Sequence, residues 1–269
     1  MPQHPKLQTY TAMAAQHTAA ITGSYETWTA FLRTASRLHK YSFLEQLMIH
    51  VQRPDAMACA GYDLWRDKMH RHVRYRAKGI AIISQVNGIP ALRYVFDISD
   101  TLPDADARIP YIWQYREEHQ ATLSDAISDC FRIPADKGVS FQLASMAAQF
   151  AGQYWEMYRE QVLQAVKNTL LQKYGEVDAG MAFQDAIAAS VSFAALSRCG
   201  LSPEQVFDAE DFTHVYECND YESVMALGTA VSMLNDTLLR FVGGTIRQYE
   251  REKRAGQRQE LGTAKPHLL

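Results

Sequence analysis

Between Arg66 and Lys78 the chain carries Arg66, Lys68, Arg71, Arg74, Arg76 and Lys78, with His70 and His72 among them, Tyr75 interleaved and Asp67 as the only acid. Cations at this density suit phosphates, because each phosphate neutralised releases condensed counterions. A tyrosine between them suits a base, since every base offers a ring face to stack on. The competing reading is a solvated edge strand whose charges keep other strands from pairing with it. The formal net charge of −3 leaves the rest of the chain acidic, which favours the first reading and restricts any polyanion to a local patch.

Upstream, Gln52 and Arg53 stand just before Pro54, which ends a helix and turns Arg53 into extended backbone. Polar side chains presented at a helix exit can meet a ligand; Arg53 can equally pair with Asp55 or a helix-end carbonyl. Trp65 and Leu64 sit in a short segment, Gly61 to Met69, that reads as helix, with Lys68 on nearly the same side as Trp65. An indole there is either core or a stacking platform.

The elements that must position these groups are legible around them. Trp28, Phe31, Leu32, Ala35 and Leu38 recur at helical spacing between Tyr25 and Lys40. Arg33, Arg37 and Lys40 fall on its other faces, where solvation or phosphate contact are both open. Ser42 followed by Glu45 makes a capping box for a second helix with Phe43 and Leu47 turned inward. Asn87-Gly88 between Ile80–Ile83 and Leu92–Phe96 predicts a hairpin with a type I′ turn. The expected fold class is α+β: amino-terminal helices on a small antiparallel sheet, then a mainly helical carboxy-terminal region.

Domain limits follow from composition. Residues 1–24 read as a loose lead-in with a short helix near Tyr10 to Thr18, 25–112 as the α+β unit, 113–250 as a helical domain and 251–269 as a charged flexible tail. In the helical part, Trp113 to Cys130 and Val139 to Lys173 are expected helices. Gly175 to Asp178 is an expected break, and Ala182 to Cys199 a helix closed by Gly200. Ser202-Pro203-Glu204 should open another, and Tyr221 to Phe241 should end at Gly243-Gly244.

Hydrophobic residues make up 47% and charged ones 21%, an ordinary globular composition. Cys59, Cys130, Cys199 and Cys218 form no C-x-x-C pair and read as buried free thiols; no metal, cofactor or catalytic residue is expected. No run approaches the ~18 apolar residues of a membrane helix and no signal-peptide core precedes the first helix, so a cytoplasmic protein is expected. A hydrolase built on Cys59 or Cys130 is disfavoured, because no spacing places a base beside either thiol.

The ordered set Tyr41, Gln52-Arg53-Pro54-Asp55-Ala56, Trp65 and Val73-x-x-x-Ala77-Lys78-Gly79-Ile80 resembles the amino-terminal domain of ArdC-type antirestriction proteins. The likeness is to variants in large proteins of conjugative transposons, and it covers about Tyr25 to Thr101. The resemblance implies single-stranded DNA binding, with Tyr41, Gln46, Gln52, Arg53, Trp65 and Lys78-Gly79 at the positions where the family pattern is strongest. Arg66, Lys68, Arg71, His72, Arg74, Tyr75 and Arg76 complete the expected binding set. Family members usually carry a glycine near Arg76. Longer members also carry a peptidase domain with a His-Glu-x-x-His helix, a motif this chain lacks, so protease activity is not expected. The run Ser190 to Leu201 also resembles the region downstream of the ArdC-like domain in those transposon proteins and would be what remains of the peptidase scaffold without its ligands. The implied partners are single-stranded DNA and proteins of conjugative transfer or restriction. The alternative is an interaction module that docks a relaxase, helicase or restriction subunit through the helical half.

Overall fold

The structure, a computed structural model, describes residues 5–263, with side chains through Arg258. The first helix, α1 (Pro5–Ile21), is longer than the expected turn near Tyr10 to Thr18, because Ala14, Thr18 and Ile21 are buried against later elements. Ser24 caps α2 (Tyr25–Arg37): its hydroxyl accepts from Thr27 N–H, and Thr27 Oγ1 accepts from Ser24 N–H. The expected box at α3 (Phe43–Gln52) is present as Glu45 reaching back to the Ser42 N–H at 3.1 Å.

The sheet elements follow. A three-stranded sheet has the order β1 (Cys59–Ala60), β4 (Ile89–Asp97), β3 (Ile80–Val86), all antiparallel. A second, two-stranded sheet pairs β2 (Arg71–Val73) with β5 (Thr101–Pro103). Val86 pairs with Ile89 across Asn87 and Gly88, whose φ values of 52° and 76° are those a type I′ turn requires. Ile80, Ile82 and Val95 form a small core with Met48 and Ile49 of α3 and Ala14 of α1.

The remaining helices are α4 (Gln120–Phe131), α5 (Gly138–Ala165), α6 (Gly175–Cys199), α7 (Thr213–Glu217) and α8 (Tyr221–Thr263). The architecture is thus α+β, as expected. The centre of the large core is α6, buried along most of its length and packed on α2, α5 and α8. Leu170–Cys199 is long and apolar enough to cross a membrane, contrary to the expectation that no such run exists. Its position explains its composition: 78% of its most apolar window is buried inside the protein.

Several boundaries differ from the sequence reading. Gly175, with φ 79°, opens α6 instead of breaking the chain. Gly243-Gly244 lies inside α8, where Gly243 makes room for the Trp113 indole. Ser202-Pro203-Glu204 gives only a 3₁₀ turn, Pro203–Gln205. Trp113 itself lies in an irregular segment and not in a helix. Gly200 does end α6, in the left-handed conformation. The charged run after Arg247 continues α8 to Thr263, and the last part of the expected tail, 264–269, lies outside the described residues.

A boundary at residue 112 does not separate the packing. Trp28, Phe31 and Leu32 of α2 share one core with Leu196, Leu227 and Leu238. The Trp28 indole donates to Ser190 Oγ at 2.9 Å, and Gly228 lets α8 approach the Phe43 ring. The sheet therefore stands on a platform to which α2 and α3 belong. Nor are all four thiols buried: Cys199 and Cys218 are, Cys59 is half-buried, and Cys130 is exposed. Burial pushes the thiols of Cys59, Cys199 and Cys218 up to about 12.

Candidate nucleic-acid interface

The basic run begins in a single π-type turn, Leu64–Lys68, continues as β2, and ends in an exposed loop before β3. Pairing of β2 with β5 fixes the base of that loop, and Arg74 N–H donates to Asp100 O at 2.8 Å. Ala77 N–H then donates to Arg74 O at 3.0 Å, closing a turn with Tyr75 at its tip. Arg76 has φ 63°, the left-handed conformation that glycine adopts freely and arginine does not.

Tyr75 is 88% exposed, and the Arg76 guanidinium lies 5.2 Å from its ring centroid. Lys68, Arg74, Arg76 and Lys78 are exposed and, among the described residues, enter no ion pair. The other charges of the run are engaged. Arg66 Nε lies 2.6 Å from Asp67 and another of its nitrogens 3.4 Å from Asp63. Arg71 Nε donates to Thr101 Oγ1 at 2.8 Å. His72 Nδ1 is 2.8 Å from Asp104, and His70 meets Asp106. What remains available is a tyrosine tip with cations on both sides.

The other expected contact residues have structural work. Trp65 is 2% exposed and its Nε1–H donates to Phe96 O at 2.9 Å, so it anchors the turn to β4 and is no stacking platform. Gln46 is fully buried; its amide nitrogen donates to Leu38 O and Tyr41 O, holding the link between α2 and α3, while its Oε1 has no hydrogen-bond partner and lies out of reach of a surface ligand. Gln52 acts as one more strand neighbour for β3: its Oε1 accepts from Ala81 N–H at 2.9 Å and its Nε2 donates to Ala81 O at 2.7 Å. Arg53 is committed to Asp100 at 2.8 Å, Asp55 at 3.4 Å and the Ser99 hydroxyl. Tyr41, half-buried, donates its hydroxyl to Cys59 O at 2.8 Å, and burial raises its pKa.

Asp97 ties this set together. It is 2% exposed and accepts from Met57 N–H at 2.7 Å, Ala58 N–H at 2.9 Å, Ser99 N–H at 3.0 Å and the Ser99 hydroxyl at 2.6 Å. Burial works to raise its pKa, but the hydrogen bonds from Ser99, Ala58 and Met57 outweigh it and hold the carboxyl below its ordinary value. Through Ser99, which also receives Arg53, the carboxylate fixes the loop after α3 and the base of the Tyr75 loop together.

A second basic surface escaped the sequence reading. Arg37 of α2, Arg198 of α6 and Arg247 of α8 converge on a cleft beneath the 110–115 segment, although they are separated by most of the chain. No pattern at short range could have joined them.

Comparison of the chain with protein-family models, curated proteins and solved structures finds no match.

Proposed function

We propose that the chain is a non-catalytic single-stranded DNA-binding protein, ArdC-like, working in the cytoplasm for a mobile genetic element in restriction evasion or conjugative transfer. The observation that carries the binding is the Tyr75 ring, almost wholly in solvent, between Arg74 and Arg76 in the chain and three residues before the exposed Lys78. Burying an exposed aromatic against a base while flanking guanidinium groups take the neighbouring phosphates is the general economy of single-strand recognition. Duplex DNA hides its ring faces in the stack and should bind only through phosphate contact. The assignment to a mobile element rests on the ordered residues from Tyr41 to Ile80.

A second reading, docking of a transfer or restriction protein on the helical half, is favoured by Met157, Leu170, Val177 and Met181, exposed on and between α5 and α6. The two are separated by photocrosslinking a 5-bromodeoxyuridine oligonucleotide and mapping the modified peptide. The expected crosslink lies at Tyr75. A crosslink confined to α5 and α6, or none above that of a duplex control, would refute the single-strand reading.

A further inference from the structure

The cleft between the sheet-bearing part and the helical body is lined by Arg37, Lys40, Arg198 and Arg247, and no Asp or Glu is among its lining residues. It comprises two adjoining hollows of about 430 and 570 Å³ that share Arg37, Met57, Ile112 and Arg198 as walls. Nearby acids are already engaged: Asp236 with Arg240 at 2.6 Å and His39 at 2.8 Å, Glu204 with Arg33, and Glu250 with the Tyr111 hydroxyl at 3.1 Å. Arg37, Lys40, Arg198 and Arg247 enter no ion pair among the described residues.

Two of these cations are half-buried. Arg198 lies 3.7 Å from the centroid of the Trp113 ring and donates to Trp113 O at 2.7 Å; Gly243 seats that indole by lacking a side chain. Arg37 donates Nε–H to Ala56 O at 2.9 Å and a second nitrogen to Pro54 O. Burial lowers the pKa of both; at Arg37 the carboxylates of Asp55 and Asp97 offset part of this and Arg33 adds to it, and at Arg198 the nearby Arg37 adds to it. Half-buried guanidinium groups that meet neutral carbonyls and a ring face, and enter no ion pair among the described residues, can take up an anion. Their fixed planar forks can each meet two oxygens of one anion, which a phosphate offers to two arginines at once and a chloride does not.

We infer that this cleft binds a phosphate-bearing ligand of nucleotide size, its phosphate between Arg37 and Arg198 with Arg247 and Lys40 at the rim. The organic part rests against Met57, Ile112 and Tyr115. The volumes lie in the range of small-molecule sites. The inference is independent of the Tyr75 loop, which lies on other elements. The phosphate can come from a free nucleotide or from the 5′ end of a strand.

Calorimetric titration of the full chain with AMP, adenosine and inorganic phosphate tests the site. AMP is expected to bind, adenosine not to bind, and phosphate to bind more weakly than AMP. Arg198→Gln and the exposed-rim variant Arg247→Ala should each weaken AMP by about tenfold or more, while alanine at Arg74, Tyr75 and Arg76 leaves it unchanged. Circular dichroism identifies a variant that has not folded, in which case Arg247→Ala decides. A 5′-phosphorylated oligonucleotide binding tighter than its 5′-hydroxyl twin, with the difference lost in Arg247→Ala, would assign the phosphate to a strand end; AMP binding without that difference assigns it to a free nucleotide. The inference is overturned if neither AMP nor the 5′-phosphate is bound, if adenosine binds as tightly as AMP, if phosphate alone equals AMP, or if Arg247→Ala changes nothing.

Discussion

Replacing Arg74, Tyr75 and Arg76 together with alanine should weaken binding of single-stranded DNA by about a hundredfold, the loss of one stacked base at 1–3 kcal/mol plus two phosphate contacts. The slope of log affinity against log salt should become shallower by about 1.4, since each single-strand phosphate contact contributes about 0.7. Thermal stability should stay within about 0.5 kcal/mol of the parent, because all three side chains are exposed and none holds the fold through a hydrogen bond. Tyr75→Ala alone separates the two contributions: it should lower affinity by about tenfold while leaving the salt slope as it was. Fluorescence anisotropy on a labelled oligonucleotide, repeated across a salt series, reads both quantities. An unchanged affinity in the triple variant would remove the loop from the interface.

Asp97→Ala should cost on the order of 3 kcal/mol of folding stability, because Met57 N–H and Ala58 N–H lose a charged acceptor in a buried place. The pH dependence has a definite sign. The folded-state pKa of Asp97 lies below its unfolded value of about 3.9. Its contribution is therefore complete above about pH 4 and disappears as pH falls through the folded value. Urea midpoints at pH 6 and pH 3 check this: the gap between parent and Asp97→Asn should be wide at pH 6 and narrower at pH 3. The same variant should loosen Arg53 and the base of the Tyr75 loop through Ser99, so single-strand affinity should drop without any ligand contact being removed. A gap that is constant with pH would mean that the carboxylate carries no charge-dependent load.

Local signals were read correctly where they need few partners. The turn at Asn87-Gly88, the Glu45 cap and the Gly200 terminus are each decided within four residues, and all three are present. The glycine pair inside α8 misled, because the meaning of Gly243 lies in a distant aromatic ring. It faces Trp113, a contact that is not visible in the residues beside the glycine. The site divides in the same way. Tyr75 and its flanking cations are a short-range pattern and stand exposed as read. Gln46, Gln52, Arg53 and Trp65 looked equally suited to a ligand, but their partners lie elsewhere, Ala81 for Gln52, Asp100 for Arg53 and Phe96 for Trp65. A side chain satisfied by a remote backbone looks in sequence like one awaiting a ligand. The arginines of the cleft reverse that error: Arg37 read as a charge on an outer helical face, yet its neighbour in space is Arg198.

The most direct test is an equilibrium titration of the unaltered chain with one labelled oligonucleotide, single-stranded and annealed to its complement, each at 50 and 200 mM salt. Binding through the Tyr75 loop requires that the single strand be preferred at both concentrations and that its affinity fall steeply between them. Equal affinity for the duplex, or an affinity for the single strand that salt does not change, would contradict it.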